Sequence, residues 1–93
     1  MAATLLMFPP QTTATREWAK RLAAAQSNLS VSVAEIEIDT AGSIARADAA
    51  FGTVSPALLR AASQLRWIQA PQAAPPAGWY YPELIAHPAV VTN

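Results

Sequence analysis

Only a few side chains in this sequence have types and spacings that could do chemistry. His87 is the one histidine, and it precedes Pro88 in a connecting segment. Glu35, Glu37 and Asp39 form an alternating acidic row, which a strand would place on one face. A metal site would need further carboxylates or histidines nearby, and the sequence offers none. We therefore expect the acidic row to be a solvated edge, and His87 to be a solvated loop residue rather than a general base.

A threonine-rich run, Gln11-Thr12-Thr13-Ala14-Thr15, precedes a helical pattern. Helix N-termini attract phosphate, and flavodoxins bind phosphate with a hydroxyl-rich loop at such a position. This run has no glycine that would let the backbone approach a ligand. We interpret the threonines as helix caps, with flavin binding as the alternative.

Composition excludes several classes of function. The 93 residues suffice for one small domain, residues 1–93, and 53% of them are apolar against 13% charged. So much apolar surface suggests a face that meets another domain, although dimerisation or an ordinary core would also explain it. Zero net charge predicts no nucleic-acid or membrane partner, and the absence of cysteine excludes thiolate chemistry. No stretch has the length of a membrane span or a signal peptide, so we expect a cytoplasmic protein.

Apolar periodicity predicts alternating strands and helices. Strands are expected at about 4–8, 29–38, 47–52, 66–70 and 89–92. A first helix is expected at about 14–26, with an apolar face formed by Trp18, Leu22 and Ala25. Ser55-Pro56 is typical of a second helix start, and short helical turns are expected at about 44–47 and 82–86. The second strand changes phase along its length, which a bulge near Ala34 would reconcile.

This alternation predicts an α/β fold with a flavodoxin-like parallel sheet of about five strands, in the order 2-1-3-4-5, and helices on both faces. Only two helices have a full apolar pattern, so one face of the sheet is expected to depend on a missing segment. Ligands of such sheets bind beyond the carboxyl ends of the strands. The segments 9–12, 52–53 and 71–76 are expected there.

The last third of the chain resembles the end of the N-terminal substrate-binding segment of D-isomer-specific 2-hydroxyacid dehydrogenases. The resemblance is clearest from Ala47 to Asn93 and depends most on Trp67-Ile68-Gln69 and on the proline-rich stretch 71–88. It implies a parent enzyme that transfers a hydride, using NAD or NADP, between a 2-oxo acid and a D-2-hydroxy acid. That family's catalytic histidine, arginine and acidic residue lie downstream of the matching segment. No catalytic residue and no activity are therefore expected for these 93 residues alone.

The resemblance also implies where substrate would bind. In that family the loop after the fourth strand holds the substrate carboxylate with main-chain amides, and successive N–H groups in a turn can bind an anion. Prolines 71, 75 and 76 have no N–H to donate. The implied substrate-binding residues are Gln72, Ala73 and Ala74. The aromatic residues that follow, Trp79, Tyr80 and Tyr81, would line the mouth of the site or pack a short helix onto the sheet.

The partners implied by the resemblance are a small 2-oxo or 2-hydroxy acid and an NAD-binding domain that these residues lack. No G-x-G-x-x-G occurs among only three glycines, so no cofactor is expected to bind this chain itself. The alternative is a self-sufficient small flavodoxin-like module that binds a flavin or a protein partner.

Overall fold

The architecture is an α/β fold built on one five-stranded sheet. The computed structural model describes residues 3–71 and 77–92. The strands are β1 (Ala3–Met7), β2 (Leu29–Val33), β3 (Ala49–Phe51), β4 (Trp67–Gln69) and β5 (Val90–Thr92). The helices are α1 (Thr13–Ala25), α2 (Glu37–Ser43), α3 (Pro56–Ala61) and α4 (Pro82–Ala86), and a 3-10 turn covers Ile44–Arg46. All strand pairs are parallel and the order is β2-β1-β3-β4-β5, so the predicted topology is confirmed.

The helix starts follow the cap residues that the sequence offers. Thr12 is the N-cap of α1, and its hydroxyl accepts from the Thr15 N–H at 3.1 Å while the Thr15 hydroxyl accepts from the Thr12 N–H at 2.7 Å. This reciprocal pair is a capping box. Ser55 caps α3 and Pro56 occupies its first turn, as predicted. Within the described parts of the chain, no helix has the length and hydropathy that crossing a bilayer requires.

The back face of the sheet carries the main core. Leu6, Ala50 and Ile68 point to this side and are at most 2% exposed. Leu59 of α3 and Leu84 of α4 pack against them. Full burial of a leucine or isoleucine side chain stabilises the fold by about 1.5–3 kcal/mol, so this face contributes much of the stability of the domain.

The front face, on the opposite side, is only partly covered. Helix α1 lies over β1 and β2, and Ala19 packs there on Leu5 and Met7. Trp18 and Leu22 remain 47% and 38% exposed, although the Trp18 ring meets Phe51 of β3 edge-on, so the predicted apolar stripe is only partly packed on the sheet. No described helix covers the front face of β3, β4 and β5. Helices do lie on both faces, as predicted, and the expectation of an incompletely covered face agrees with this arrangement.

The segment after β2 differs from the prediction. The strand ends at Val33 instead of continuing to about residue 38, and α2 begins at Glu37. Ala34 closes the ladder by donating to the Met7 carbonyl at 3.0 Å, and the Asp39 N–H then bonds to the Ile36 carbonyl at 3.1 Å. The phase change in the apolar pattern marks the end of the strand rather than a bulge within it.

Candidate functional site

A crevice lies at the carboxyl edge of the sheet, where the strand order reverses. β2 lies on one side of β1 and β3 on the other, so the chain crosses over beyond the ends of β1 and β3. Ligands of doubly wound sheets bind at such a switch point. The crevice has a volume of about 450 Å³. Its walls include Phe8, Pro9, Pro10, Thr53, Ser55 and Leu58.

Gln11 ties together the backbone on the β1 side of the crevice. Its side-chain Nε2 lies 3.1 Å from the Met7 carbonyl, 3.1 Å from the Phe8 carbonyl and 2.7 Å from the Ala34 carbonyl. Its Oε1 accepts from the Thr15 hydroxyl at 2.9 Å. The Met7 carbonyl ends β1 and also accepts from the Ala34 N–H, whereas the Phe8 and Ala34 carbonyls lie past the ends of β1 and β2. Gln11 therefore holds the turn after β1 in place.

Gly52 allows the turn after β3 to approach β1 closely. Its φ is +131°, and a Cβ added there would lie 2.7 Å from the Cβ of Phe8. Its N–H donates to the Gln69 carbonyl at 3.0 Å, which continues the pairing of β3 with β4 past its last strand residue. Only glycine fits this backbone conformation and this spacing without strain.

Two aromatic residues hold the C-terminal end of the loop that follows β4. The Trp79 indole donates to the Thr53 hydroxyl at 3.0 Å, and the Tyr81 hydroxyl donates to the Val54 carbonyl at 2.5 Å. Burial raises the pKa of Tyr81 above its usual range, and the nearby carboxylate of Glu83 raises it further, so the phenol is a neutral donor. These contacts support packing as the role of both residues, in agreement with one of the two expectations.

The N-terminal end of the same loop also lies at the carboxyl edge. Ala70 is buried and its N–H donates to the Thr92 carbonyl at 2.7 Å, directly after β4. Ala70 and Trp79 therefore anchor the two described ends of the loop beside the β3 turn. The predicted substrate-binding residues Gln72, Ala73 and Ala74 lie outside the described residues, so their role stays a prediction.

The other candidates from the sequence have structural roles. The His87 Nδ1 accepts from the Ala89 N–H at 3.0 Å, which shapes the connection into β5. The Thr12 and Thr15 hydroxyls serve the capping box described above, in agreement with the prediction. Glu35 lies after β2 and both its oxygens accept from the Arg16 guanidinium, one at 2.6 Å. These hydrogen bonds hold the pKa of Glu35 below its usual range.

The predicted acidic row on a strand is wrong, because two of its members belong to a helix. Glu37 and Asp39 lie in α2, whereas Glu35 precedes it. A period of two therefore does not place the three on one face. Among residues 3–71 and 77–92, no group of histidine and carboxylate side chains could hold a metal ion.

The described residues do not fit a nicotinamide cofactor. The turn after β1, where a dinucleotide site needs glycines and free N–H groups, consists of Phe8-Pro9-Pro10. The two prolines have no N–H, and Gln11 already occupies the neighbouring carbonyls. No chemical step involving NAD or NADP can therefore be assigned to these residues.

A wider depression, of about 1100 Å³, opens at the amino edge of the sheet and includes Asp48, Arg66 and His87. The Asp48 carboxylate accepts from the Thr4 N–H at 2.8 Å and from the Gln64 side chain at 3.2 Å. Asp48 thereby closes the amino ends of β1 and β3. Asp48 and His87 of this depression thus serve the fold, and the switch point at the carboxyl edge is the better candidate for a site.

Comparison of the chain with protein-family models, with curated proteins and with solved structures found no match. Sequence reasoning placed the segments 9–12 and 52–53 at the carboxyl edge, but it assigned no role in shaping the crevice to Gln11 or Gly52. A glycine directly after a short predicted strand was a usable signal for a close approach of backbone. Nothing in the sequence indicated that Gln11 would reach the carbonyl of Ala34, because that contact depends on the tertiary fold.

Proposed function

We propose that this chain is the substrate-binding domain of a D-isomer-specific 2-hydroxyacid dehydrogenase and binds the carboxylate of a small 2-oxo or 2-hydroxy acid. The observation that carries the proposal is the loop after β4, whose described ends are both anchored at the carboxyl edge. Trp79 and Tyr81 bond to the β3 turn on one side, and Ala70 bonds to β5 on the other.

The carboxyl edge of the sheet suits an anion that is bound by backbone N–H groups. Beside the crevice, the Arg16 guanidinium is already paired with the Glu35 carboxylate, so this arginine is not a free cation for a substrate carboxylate. N–H groups of Gln72, Ala73 and Ala74 would supply the binding dipoles instead. Binding would position the substrate at one wall of an interdomain cleft, and the closure of that cleft would exclude water. Hydride transfer itself would belong to the NAD-binding domain.

The test is a titration of the ¹⁵N-labelled chain with pyruvate, followed by the backbone amide signals. We expect the signals of Gln72, Ala73 and Ala74 to move with pyruvate and not with pyruvamide, which lacks the carboxylate. Ala73→Pro removes one donor and should weaken binding, whereas Ala73→Gly keeps the N–H and should not.

Equal shifts with pyruvate and pyruvamide, or shifts confined to other residues, would contradict the proposal. The chain alone is expected not to oxidise NADH in the presence of a 2-oxo acid. Measurable oxidation would contradict its assignment as the substrate-binding part.

A further inference from the structure

The crevice at the carboxyl edge has the size and lining of a small-molecule pocket. Its volume of about 450 Å³ lies within the range of about 300–1,000 Å³ that is usual for such pockets. Most of its lining residues are apolar: Phe8, Pro9, Pro10, Ile36 and Leu58. Walls of this composition favour an apolar group of a ligand, because its burial removes apolar surface from water.

The polar groups in the walls already have hydrogen-bond partners. The Thr53 hydroxyl accepts from the Trp79 indole at 3.0 Å, and the Ser55 hydroxyl accepts from the first turn of α3 at 3.3 Å. Among residues 3–71 and 77–92, no buried side-chain nitrogen or oxygen lacks a partner. An apolar group can therefore cover these walls at little cost. A carboxylate in the crevice would instead meet Glu35, which carries the same charge and is already paired with Arg16.

Ile36 is the wall residue whose position the fold does not explain. It is the N-cap of α2, where serine, threonine, aspartate and asparagine are preferred, and its side chain makes no capping hydrogen bond. The isoleucine is also 58% exposed, so it gains little from burial. Residues that break a local rule without a gain in stability are typical of functional sites. Because Ile36 lies in the wall of a concave crevice, an apolar group of a small molecule is the partner that it fits.

The crevice lies beside the end of β4, and this spacing sets the length of the ligand. The Gly52 N–H donates to the Gln69 carbonyl, so the end of β4 lies next to the turn after β3. Neighbouring strands are about 4.8 Å apart, so a carboxylate bound by the loop after β4 is at least about 5 Å from a group seated between the turns after β1 and β3. At about 1.5 Å per carbon–carbon bond, the methyl of pyruvate reaches only roughly 2.5 Å from its carboxylate carbon, whereas the end of an isobutyl group reaches roughly 5 Å.

We propose that the crevice binds the side chain of the substrate, and that the substrate is a 2-oxo or 2-hydroxy acid with an apolar side chain of about four carbons or more. We take the position of the carboxylate from the proposed function, on which this proposal rests. The subsite for the side chain itself consists of described residues only.

The test compares acids that share the 2-oxo carboxylate and differ in the side chain: 4-methyl-2-oxopentanoate, pyruvate and 2-oxoglutarate. Each is titrated into the ¹⁵N-labelled chain. Full burial of the three additional carbons of 4-methyl-2-oxopentanoate corresponds to roughly fiftyfold tighter binding than that of pyruvate. We expect at least about tenfold, because the exposed Pro10 and Thr53 leave the crevice open to solvent. The amide signals of Phe8, Ile36 and Thr53 should move most with this acid, and 2-oxoglutarate, which ends in a second carboxylate, should bind no more tightly than pyruvate.

Matched variants locate the side chain of the bound acid. Ile36→Ser removes apolar surface from the wall and supplies a preferred N-cap, so the variant should fold. It should weaken the binding of 4-methyl-2-oxopentanoate by about threefold or more and leave the binding of pyruvate unchanged. Ile85→Ser is the control, because Ile85 is 71% exposed on α4 and does not line the crevice. It should leave the binding of both acids unchanged.

Equal affinities for pyruvate and 4-methyl-2-oxopentanoate, with shifts at residues 72–74, would overturn the subsite and leave the proposed carboxylate site intact. The subsite is also wrong if Ile36→Ser weakens pyruvate as much as the longer acid, because Ile36 would then act through the fold. Titration with 4-methyl-2-oxopentanamide separates the two proposals in the other direction. If this amide binds as tightly as the acid and moves the signals of Phe8, Ile36 and Thr53, the apolar subsite is supported and the carboxylate site is contradicted.

Discussion

Gly52 offers the sharpest test of the geometry at the carboxyl edge. Replacing it with alanine adds one methyl group where the turn after β3 meets the end of β1. Gly42 is the matched control, because it lies in α2 and an added Cβ would meet no atom within 4 Å. The two variants make the same chemical change in opposite environments.

The expected magnitude has two parts. A side chain at a φ of +131° is strained, which costs about 1–3 kcal/mol. The added methyl would lie 2.7 Å from the Phe8 Cβ, and overpacking of this kind costs about 1–3 kcal/mol more. We expect Gly52→Ala to lower the free energy of unfolding by about 4 kcal/mol. The total free energy of unfolding for a chain of this length is roughly 5–14 kcal/mol. Gly42→Ala should gain up to about 1 kcal/mol from helix propensity.

The assay is urea unfolding followed by circular dichroism for the wild type and both variants. With a slope of about 1–3 kcal/mol per molar urea, a loss of 4 kcal/mol moves the midpoint by more than about 1 M. If Gly52→Ala unfolds within about 0.5 M of the wild type, or if the two variants behave alike, Phe8 and Gly52 do not approach as described.

Two further predictions concern contacts around the crevice. Gln11→Ala should lower the free energy of unfolding by about 1–3 kcal/mol, since it leaves the Met7, Phe8 and Ala34 carbonyls without this partner. The control is Gln26→Ala at an exposed position, which should change the free energy by no more than about 0.5 kcal/mol in the same unfolding assay. Equal effects of the two substitutions would contradict the role of Gln11. Because the pKa of Tyr81 is raised in the folded protein, its contribution to stability is complete below the pKa of an unfolded tyrosine and is lost as pH rises through the folded value. Tyr81→Phe should therefore show a smaller fall in stability between about pH 9 and 12 than the wild type, and parallel curves would contradict the burial of this phenol.

The sheet could be predicted because turn residues and helix-start residues mark clearly where its strands end. Pro9-Pro10 follows the first strand, Ser55-Pro56 starts a helix, and the turn residues lie where parallel connections need them. Right-handed crossovers then leave few orders for five strands. The short helix α2 was missed because its N-cap, Ile36, makes no side-chain bond to the helix. Contacts with α3 and the 3-10 turn, rather than local propensity, decide its structure.

The apolar stripe of α1 was recognised, but what it faces could not be predicted. Periodicity shows that Trp18 and Leu22 share a side, and it does not show whether a sheet or an open groove lies opposite. Ala19, which does pack on the sheet, has too small a side chain to stand out in a hydropathy pattern. The roles of Gln11 and Gly52 depend on contacts with residues that only the folded chain brings near.

The order of the strands also bears on how the chain assembles during synthesis. The first two strands form the longest ladder, with five residue pairs from Ala3 to Met7, and α1 links them locally. β3 then pairs with the free edge of β1, β4 with the free edge of β3, and β5 with the free edge of β4. None of the described strands has to insert between two that already pair. A nascent chain can therefore build this sheet in the order in which the ribosome releases it, with each arriving strand meeting a finished template.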